Sequence, residues 1–454
     1  MTGVLSPAER ADLQALIRAW CRQRPGASSV AEAEQLAGEA GRVVAECLFA
    51  CGVQQCGTRA GYQGSFSPCS CGARARFTDY RFRWVRGLHG EARASRAYYH
   101  CRACGKGQAP WDRLQGLDRQ VFTPALKGRI TELCARLPYR EAKEVLERFS
   151  GLALAESTLE GVTTAVGQRL REAEDERVCR LFEHGRHPSA DPFLARVLKQ
   201  RLYLSIDAAK AHTDGNWHDI KVAACYRGVS EEPGLSGEGV ASCQRDGAGE
   251  TRYLAVQEEA EAFGRRLYTW ALALGCERAR ELVVLGDGAE WIWKLVRHHF
   301  SDVVEILDFY HACEHVWEIA RSVFGEQNPA GQRWARRHCE RLEKHGPDAL
   351  LRALRSLQQL AARRSLSESA QETVRVGRDY FLRHRERMQY PRYRKAGLMI
   401  GSGPVEAACK VVVGARLKQA GMRWSAAGAD ALLAARTAVL ADQYDEIALH
   451  AWAA

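Results

Sequence analysis

The sequence predicts a multidomain α/β protein, and three stretches of contrasting character predict it. After residue 200, short β-prone runs alternate with helical stretches, which is the pattern of a sheet covered by helices. Before residue 55 and between residues 122 and 172, apolar residues recur at helical spacing. Residues 56–116 lose that spacing and are rich in glycine, cysteine, arginine and aromatic residues, which favours short β-ribbons. A length of 454 residues is sufficient for two or three domains.

Composition and charge narrow the class of protein. A hydrophobic fraction of 46% allows a sizeable buried core, and a net charge of +10 favours a polyanionic partner. The first residues lack a basic segment followed by an apolar one, and no apolar run approaches the roughly 18 residues of a membrane span. We therefore expect a cytoplasmic protein with no membrane contact. Its 16 cysteines are expected to be reduced thiols, with a few metal ligands among them.

Residues 1–55 are predicted to form a helical arm. Ser6 has the features of an N-cap, with Pro7 at the first helical position and Glu9 three residues after the serine. The stretch 24–29 breaks this first helix, and a second runs to about residue 51. The pattern predicts an amphipathic helical pair that packs on another part of the chain, and an arm that pairs two copies is the alternative.

Residues 56–118 are predicted to form a zinc-ribbon-like domain. Two close cysteine pairs flank a ribbon, as in tetrahedral four-thiolate zinc sites; they are Cys69, Cys71, Cys101 and Cys104. Gly72 and Gly105 follow the two pairs and supply tight turns that let backbone amides face thiolates. Four thiolates leave no open position, so such a Zn²⁺ is structural. Four unrelated buried cysteines are the alternative.

The ribbon between the cysteine pairs interleaves arginines with aromatic residues at strand-like spacing. Arginines can contact phosphates and aromatic rings can stack on bases, so we expect DNA contacts from Arg76, Arg81 and Arg83. The alternative is a small ribbon whose aromatic side chains form its own core, and both descriptions can hold on opposite faces.

Residues 119–185 are predicted to form a helical DNA-binding domain. Helices are expected over 125–137, 139–149 and 157–170, with Pro138 ending the first and a turn at Ser150-Gly151. This order resembles a helix-turn-helix, and a plain three-helix bundle fits it equally well.

The remaining chain is predicted to hold a sheet, a helical insertion and a helical C-terminal part. The sheet occupies residues 195–325, with strands at 201–207, 220–226, 251–256, 282–285 and 303–307. A helix over 258–274 separates the third and fourth strands, and a Gly- and Glu-rich loop at 230–249 is expected to be exposed. Residues 326–398 are helical, and residues 399–454 add helices after this insertion.

Three carboxylates stand out in the predicted sheet region. Asp207 lies within or at the end of the first apolar strand, Asp287 follows the fourth between two glycines, and Glu406 lies early in a later helix. Two-metal phosphoryl transfer needs a few hard oxygen ligands around cations held close together. Each acid alone has a plain alternative as a cap, a turn former or a surface ion pair. Together, the strand series, the helical insertion and the glycine-flanked glutamate favour a metal site for phosphodiester chemistry.

Several segments resemble the ISKra family of bacterial insertion-sequence transposases. They read LSIDAAKAHT, LGDGAEWIW, ILDFYHACEHVWE, YPRYRKAGLMIGSGPVEAACK and RLKQAGMRWS, and PCSCG and YYHCRACG resemble the family's zinc-binding region. The resemblance covers about residues 60 to 435. It implies a DDE transposase with an RNase H-like mixed-sheet core and an all-α insertion before the last acid. It assigns Mg²⁺ (or Mn²⁺) to Asp207, Asp287 and Glu406. One departure is Asp-Ala-Ala at the first acid, where Asp-Gly is common.

Two further groups of residues are candidates for the same site. Asp308, His311 and His315 follow the fifth strand, with the histidines one helical turn apart; metal ligation, a position beside the active site or DNA, and ordinary packing are the alternatives. A basic stretch brackets Glu406 in sequence and is expected to track DNA. We assign DNA binding to Arg392, Arg394, Lys395, Lys410, Arg416, Lys418 and Arg423.

The expected activity is metal-dependent phosphodiester hydrolysis at transposon ends, followed by attack of the freed 3′-hydroxyl on target DNA. The expected partner is double-stranded DNA, both the terminal inverted repeats and the target. A homo-oligomer is expected because two ends must be joined in one complex, and the protein would associate with the bacterial nucleoid. The alternatives are a non-catalytic zinc-ribbon DNA-binding regulator and a nuclease without strand transfer.

Overall fold

The computed structural model describes residues 5–24, 26–59, 61–117, 121–191, 200–229, 247–363 and 366–453. The predicted exposed loop at 230–249 lies almost wholly outside these residues. Contacts divide the chain into two compact units, Met1–Leu126 and Lys127–Ala454. Their combination of a mixed sheet, many helices and a cysteine cluster confirms the predicted α/β class.

The first unit begins with two helices, α1 (Pro7–Arg22) and α2 (Val30–Arg59). The predicted N-cap of α1 is confirmed as a capping box. Glu9 donates its backbone N–H to Ser6 Oγ at 3.2 Å, and Glu9 Oε2 accepts the Ser6 N–H at 2.8 Å. These two bonds satisfy amides that the first helical turn otherwise leaves unpaired.

A four-stranded antiparallel sheet follows, with strands in chain order: β1 (Phe66–Pro68), β2 (Arg74–Gly87), β3 (Gly90–His100) and β4 (Gly107–Gln108). Two short ribbons were expected, but β2 and β3 form one long hairpin with a register shift between Phe77 and Asp79. The short helix α3 (Pro110–Leu114) packs on β3 and, with α2, covers the apolar cluster of Val85, Ala94, Trp111 and Leu117.

The second unit opens with three helices, α4 (Pro124–Arg136), α5 (Tyr139–Ser150) and α6 (Glu156–His184). The predicted helical order is confirmed, with Pro138 between the first two and Gly151 in the left-handed conformation (φ 75°) after the second. Helix α6 runs well beyond the predicted end at residue 170, and in the added turns Glu174 and Asp175 pair with Arg266 at 3.2 and 2.6 Å.

The five-stranded sheet of the second unit is mixed. Its strands are β5 (Arg201–Thr213), β6 (Asn216–Val229), β7 (Gly247–Val256), β8 (Glu281–Gly286) and β9 (Val303–Leu307), in the spatial order β7-β6-β5-β8-β9. Strands β5, β6 and β7 pair antiparallel, whereas β8 and β9 run parallel to β5. The apolar runs of β5 and β8 are buried, as expected for strands covered on both faces.

Helices cover and extend this sheet. They are α7 (Ala260–Ala273), α8 (Glu290–His299), α9 (Phe309–Phe324), α10 (Pro329–His345), α11 (Asp348–Arg363), α12 (Glu368–Arg383), α13 (Tyr390–Lys395), α14 (Gly403–Ala408), α15 (Ala415–Leu417), α16 (Ala426–Leu440) and α17 (Tyr444–Ala453). A π-helical turn, Cys409–Gly414, joins α14 to α15. Helix α6 packs against α16, where a Cβ on Gly167 would lie 2.0 Å from the carbonyl oxygen of Ala431.

The outer edge of β9 is closed by α13 rather than left open. Tyr390 donates its hydroxyl to the carbonyl oxygen of Leu307 at 3.0 Å, and Tyr393 donates to that of Glu305 at 3.2 Å. These bonds occupy carbonyls that an exposed edge strand would present to another chain. None of the described helices is long and apolar enough to cross a membrane.

Candidate active site and metal centre

Asp207 lies where the parallel pairing between the two neighbouring strands β5 and β8 ends. It was expected within or at the end of the first strand, and it lies within β5, which continues to Thr213 along β6. Parallel pairing with β8 ends one residue earlier, at Ile206 opposite Gly286. The Asp207 side chain therefore sits at the carboxyl end of β8, beside the loop that begins with Asp287.

The loop that carries Asp287 is fixed from two sides. Asp287 Oδ1 accepts the Ala289 N–H at 2.9 Å, which shapes the turn into α8. Tyr380 of α12 donates its hydroxyl to the Asp287 carbonyl oxygen at 2.9 Å. Gly288 has φ of 98°, and a Cβ there would lie 2.5 Å from the Tyr380 hydroxyl. A glycine is thus required both by backbone conformation and by the close approach of the insertion helix.

Gly288→Ala is expected to destabilise the second unit by roughly 2–3 kcal/mol, from backbone strain and displacement of Tyr380. Urea unfolding monitored by circular dichroism measures this loss. The matched control is Gly128→Ala in α4, where an added Cβ meets nothing within 4 Å and stability should be unchanged or slightly higher. Equal stability of the two variants would contradict the described packing.

The two aspartates repel each other. Burial raises the pKa of Asp207 above its ordinary value, and the negative charge of Asp287 raises it further. The Ala208 N–H, the Cys409 thiol and His311 oppose this shift. A partly buried carboxylate whose charge is disfavoured by a neighbouring aspartate forms a site that a cation stabilises.

Asp207→Asn is expected to stabilise the metal-free protein at neutral pH. Because the folded-state pKa of Asp207 lies above the unfolded value, its ionisation costs stability as the pH rises through the interval between the two values. Asparagine removes that cost, so the melting temperature in EDTA at pH 7 should rise by roughly 1–3 °C. The gain should shrink as the pH approaches the ordinary aspartate range near 4. A lower melting temperature at pH 7 would contradict this electrostatic account.

Glu406 faces solvent. Its side chain is 65% exposed, and Lys410 Nζ lies 2.5 Å from its Oε1. One helical turn further, Cys409 Sγ donates to Asp207 Oδ2 at 3.5 Å. The helix of Glu406 therefore contacts Asp207 through Cys409. Among the described residues, the oxygens of the three acids do not form a group within 4.8 Å of one another.

The carboxyl end of β9 is followed directly by Asp308, His311 and His315. Asp308 lies beside the end of β8, because its backbone N–H donates to the Gly286 carbonyl at 2.9 Å. Asp308 is 4% exposed and caps α9. Its Oδ1 accepts the His311 N–H at 2.6 Å and its Oδ2 accepts the Ser402 N–H, so both carboxylate oxygens are hydrogen-bonded to backbone amides. The rings of His311 and His315 lie 4.9 Å apart, and burial lowers the pKa of His315. Within the described part of the chain these residues form no metal-sized group.

The four predicted cysteines come together in the first unit. Cys69 and Cys104 Sγ lie 3.6 Å apart, Cys71 and Cys101 Sγ lie 3.7 Å apart, and all four sulfurs lie within 4.8 Å of one another. A tetrahedral site with zinc–sulfur bonds of about 2.3 Å places its sulfurs about 3.8 Å apart. The separations exceed a disulfide bond and match this geometry, so the cluster could hold a metal such as zinc.

Backbone geometry around the cysteines supports thiolates. Gly72 and Gly105 have φ of 85° and 69°, which confirms the two predicted tight turns. The backbone N–H of Cys71, with help from neighbouring thiols, lowers the pKa of the Cys69 thiol to about 6. A thiolate at neutral pH is the form that binds metal. All the cysteines in the described part of the chain are free, as expected for reduced thiols.

The predicted basic residues do not form one surface. Lys410 is paired with Glu406, Arg394 with Glu343, and Lys395, Lys418 and Arg423 are exposed. Arg416 departs from its expected DNA contact because it is fully buried. Its guanidinium lies 4.8 Å from the ring of Tyr139, and its Nε donates to the Cys134 carbonyl at 2.8 Å. Arg392 is exposed at the opposite ends of the strands from the acids.

The hairpin exposes both aromatic rings and arginines. Tyr80, Phe82 and Trp84 alternate along one face of β2 and are 58%, 60% and 58% exposed. Arg76 and Arg81 are exposed, whereas Arg83 is half-buried with its NH1 2.7 Å from Asp112 Oδ2. The expectation that Arg83 contacts DNA is therefore not supported by its position.

Sequence reasoning missed two residues that organise the acids. Cys409 lies three residues after Glu406, and this helical spacing was a usable signal for its position beside the site. Tyr380 lies 93 residues from Asp287, and nothing in the local sequence indicates its contact with that loop.

Comparison with known proteins adds no identification. No protein-family model matches this chain, and no curated protein matches it.

Proposed function

We propose that this protein is a DDE transposase that cleaves DNA at transposon ends and joins the 3′-hydroxyl to target DNA. The observation that carries the proposal is that Asp207 lies beside Asp287 at the carboxyl end of β8 and contacts the helix of Glu406. That contact is made by Cys409, which donates to Asp207 at 3.5 Å and lies one helical turn after Glu406. The mutual repulsion of the aspartates supports a cation-binding role for this end of β8.

The sheet supports an RNase H-like core. Three antiparallel strands are followed by two strands parallel to the first, and the first acid lies on the central strand. The helices α10 to α12 separate the second acid from the third, in keeping with an all-α insertion. Tyr380 on this insertion bonds to the Asp287 carbonyl, so the insertion helps to shape the acid-lined edge.

The residues present fit Mg²⁺ or Mn²⁺, because hard carboxylate oxygens are the ligands these ions prefer. Asp207, Asp287 and Glu406 would hold the ions, which when bound activate an attacking oxygen and stabilise the leaving one. Asp207 is oriented by Cys409 and Asp287 by the turn into α8. Glu406 must leave Lys410 to join them, which frees a lysine ammonium beside the DNA phosphates.

The first unit is proposed to recognise the transposon ends around a structural Zn²⁺ held by the four cysteines. Tyr80, Phe82 and Trp84 are exposed at strand spacing, and the rings of Tyr80 and Trp84 suit stacking on unpaired bases, whereas Arg93 already lies 3.7 Å from the Phe82 ring. Arg81 is exposed and lies 3.7 Å from the ring of Tyr98, and it pairs with Asp79 at 3.0 Å, so it would have to leave that carboxylate to reach a phosphate. Helices α5 and α6 are proposed as a second contact with double-stranded DNA.

The proposed setting is the bacterial nucleoid, with double-stranded terminal repeats and target DNA as partners. Strand joining requires two ends in one complex, so we propose a homo-oligomer as the active assembly. The net charge of +10 supports a polyanionic partner.

The test uses a supercoiled plasmid that carries the DNA flanking this gene on both sides. Cleavage at defined ends and joining to a second plasmid are expected with Mg²⁺ or Mn²⁺ and not with EDTA. Binding of the ends without cleavage in either metal would favour a zinc-ribbon regulator instead. Cleavage without joining would favour a nuclease that lacks strand transfer.

A further inference from the structure

A cavity lies away from the three acids, at the amino-terminal ends of β8 and β9. It has a volume of about 610 Å³ and is lined by Glu281 and Val303, the first residues of these two strands. Asp287 follows Glu281 by six positions of extended chain, which is about 20 Å at 3.3 Å per residue. The cavity is therefore distinct from the acid-lined edge.

The lining of this cavity carries an excess of unpaired positive charge. Arg297, Arg383 and Arg392 are exposed, and among the described residues none has a carboxylate oxygen within 4.0 Å of its guanidinium. Two of the three lining glutamates are already neutralised, Glu281 by Arg201 at 2.7 Å and Glu305 by Arg387 at 2.5 Å. Glu386 is the remaining negative group. Three guanidiniums thus face one unpaired carboxylate.

Part of the cavity lining is apolar. Val303, Val304 and Leu398 contribute to it together with Tyr393, whose hydroxyl donates to the carbonyl oxygens of Glu305 at 3.2 Å and Glu386 at 2.9 Å. A fixed ring and aliphatic side chains suit the face of a base or a sugar. Planar guanidiniums in the same lining suit phosphate oxygens, which they can bind through two parallel hydrogen bonds.

We propose that this cavity binds a nucleotide unit, with its phosphate groups on the arginines and its nucleoside against the apolar side chains of the lining. The ligand is either a free nucleotide or a nucleotide within a DNA strand, because both present the same phosphate and base chemistry. The volume of 610 Å³ is in the range of small-molecule pockets. The site goes beyond the proposed transposase chemistry and uses none of the three acids.

The test compares two double variants that each remove two positive charges from the same part of the chain. Arg383→Ala/Arg392→Ala alters the cavity. Arg375→Ala/Arg385→Ala is the matched control, because these exposed arginines pair with Glu372 and Asp348 outside the cavity. Binding of thymidine 5′-monophosphate and of a 20-base-pair duplex with a single-stranded overhang, whose bases are unpaired, is measured in EDTA over a range of salt concentrations. Metal-dependent cleavage does not enter the readout, so failure of the proposed function is detected separately.

The cavity variant is expected to bind the duplex on the order of 50-fold more weakly at 0.1 M salt, with the salt slope reduced by about 2, one for each phosphate that flanks the nucleoside. Loss of duplex binding alone assigns the site to a DNA strand, and loss of mononucleotide binding alone assigns it to a free nucleotide. Arg297→Gln, which leaves the other two arginines, should give an intermediate loss and guards against a folding defect. Unchanged binding of both probes, or an equal loss in the control, would overturn the proposal.

Discussion

Asp287→Asn is expected to abolish cleavage of transposon-end DNA while leaving end binding intact. Asparagine keeps the size and the turn into α8 but removes the charge that a metal ligand needs. Since several kcal/mol of transition-state stabilisation are lost, the cleavage rate should fall on the order of 1000-fold or more. Single-turnover cleavage and gel-shift binding of the same DNA measure the two effects.

The matched control is Asp302→Asn, at the opposite end of the sheet. Asp302 has φ of 54°, a conformation that asparagine also tolerates, so the fold should be unaffected. Cleavage should be unchanged in this variant. Retained cleavage in Asp287→Asn, or an equal loss in the control, would contradict the assignment of Asp287 to the active site.

Cys101→Ser is expected to remove the metal from the first unit and to unfold its hairpin. Cys101 is fully buried in the cluster that also contains Tyr99, so the metal and this small core support each other. Zinc binding to such sites supplies on the order of 10 kcal/mol of folding free energy in small domains. Metal analysis should give one zinc in the wild-type chain and none in the variant, and limited proteolysis should cut within residues 66–108.

Cys56→Ser is the control for this variant, because Cys56 is exposed on α2 and lies outside the cluster. It should retain zinc and resist proteolysis as the wild-type chain does. A chelator that removes metal from the wild-type chain should reproduce the Cys101→Ser pattern. A protease-resistant hairpin in a zinc-free Cys101→Ser chain would show that the metal does not support this fold.

Much of the architecture could be predicted from local patterns. Alternating β-prone runs and helices indicated the mixed sheet, and the Ser6 capping box was readable from three residues. The cysteine pairs with Gly72 and Gly105 indicated a metal-sized cluster, because ligand spacing and tight turns are local properties. The length of the β2–β3 hairpin was missed, since arginines and exposed rings gave it little of the usual one-sided apolar pattern.

The candidate site was harder to predict because its arrangement depends on distant contacts. Arg416 looked like a DNA contact in a basic stretch, yet its neighbours in space are Tyr139 and Trp424. Arg392 is near Glu406 in sequence, but the direction of β8 and β9 puts it at the far ends of the strands. The charge of a residue does not predict which face of the folded protein its side chain lies on. That face depends on how distant elements pack, just as the contact of Tyr380 with the Asp287 loop joins residues that are 93 positions apart.

Asp207, Asp287 and Glu406 are proposed to hold divalent cations together at the carboxyl end of β8. Anomalous diffraction from crystals of the full chain grown with Mn²⁺ locates such ions directly. Manganese peaks are expected within coordination distance of Asp207 and Asp287, with Glu406 turned from Lys410 towards them. Crystals without a peak at these aspartates, while Mn²⁺ is bound elsewhere on the chain, would rule out this metal site.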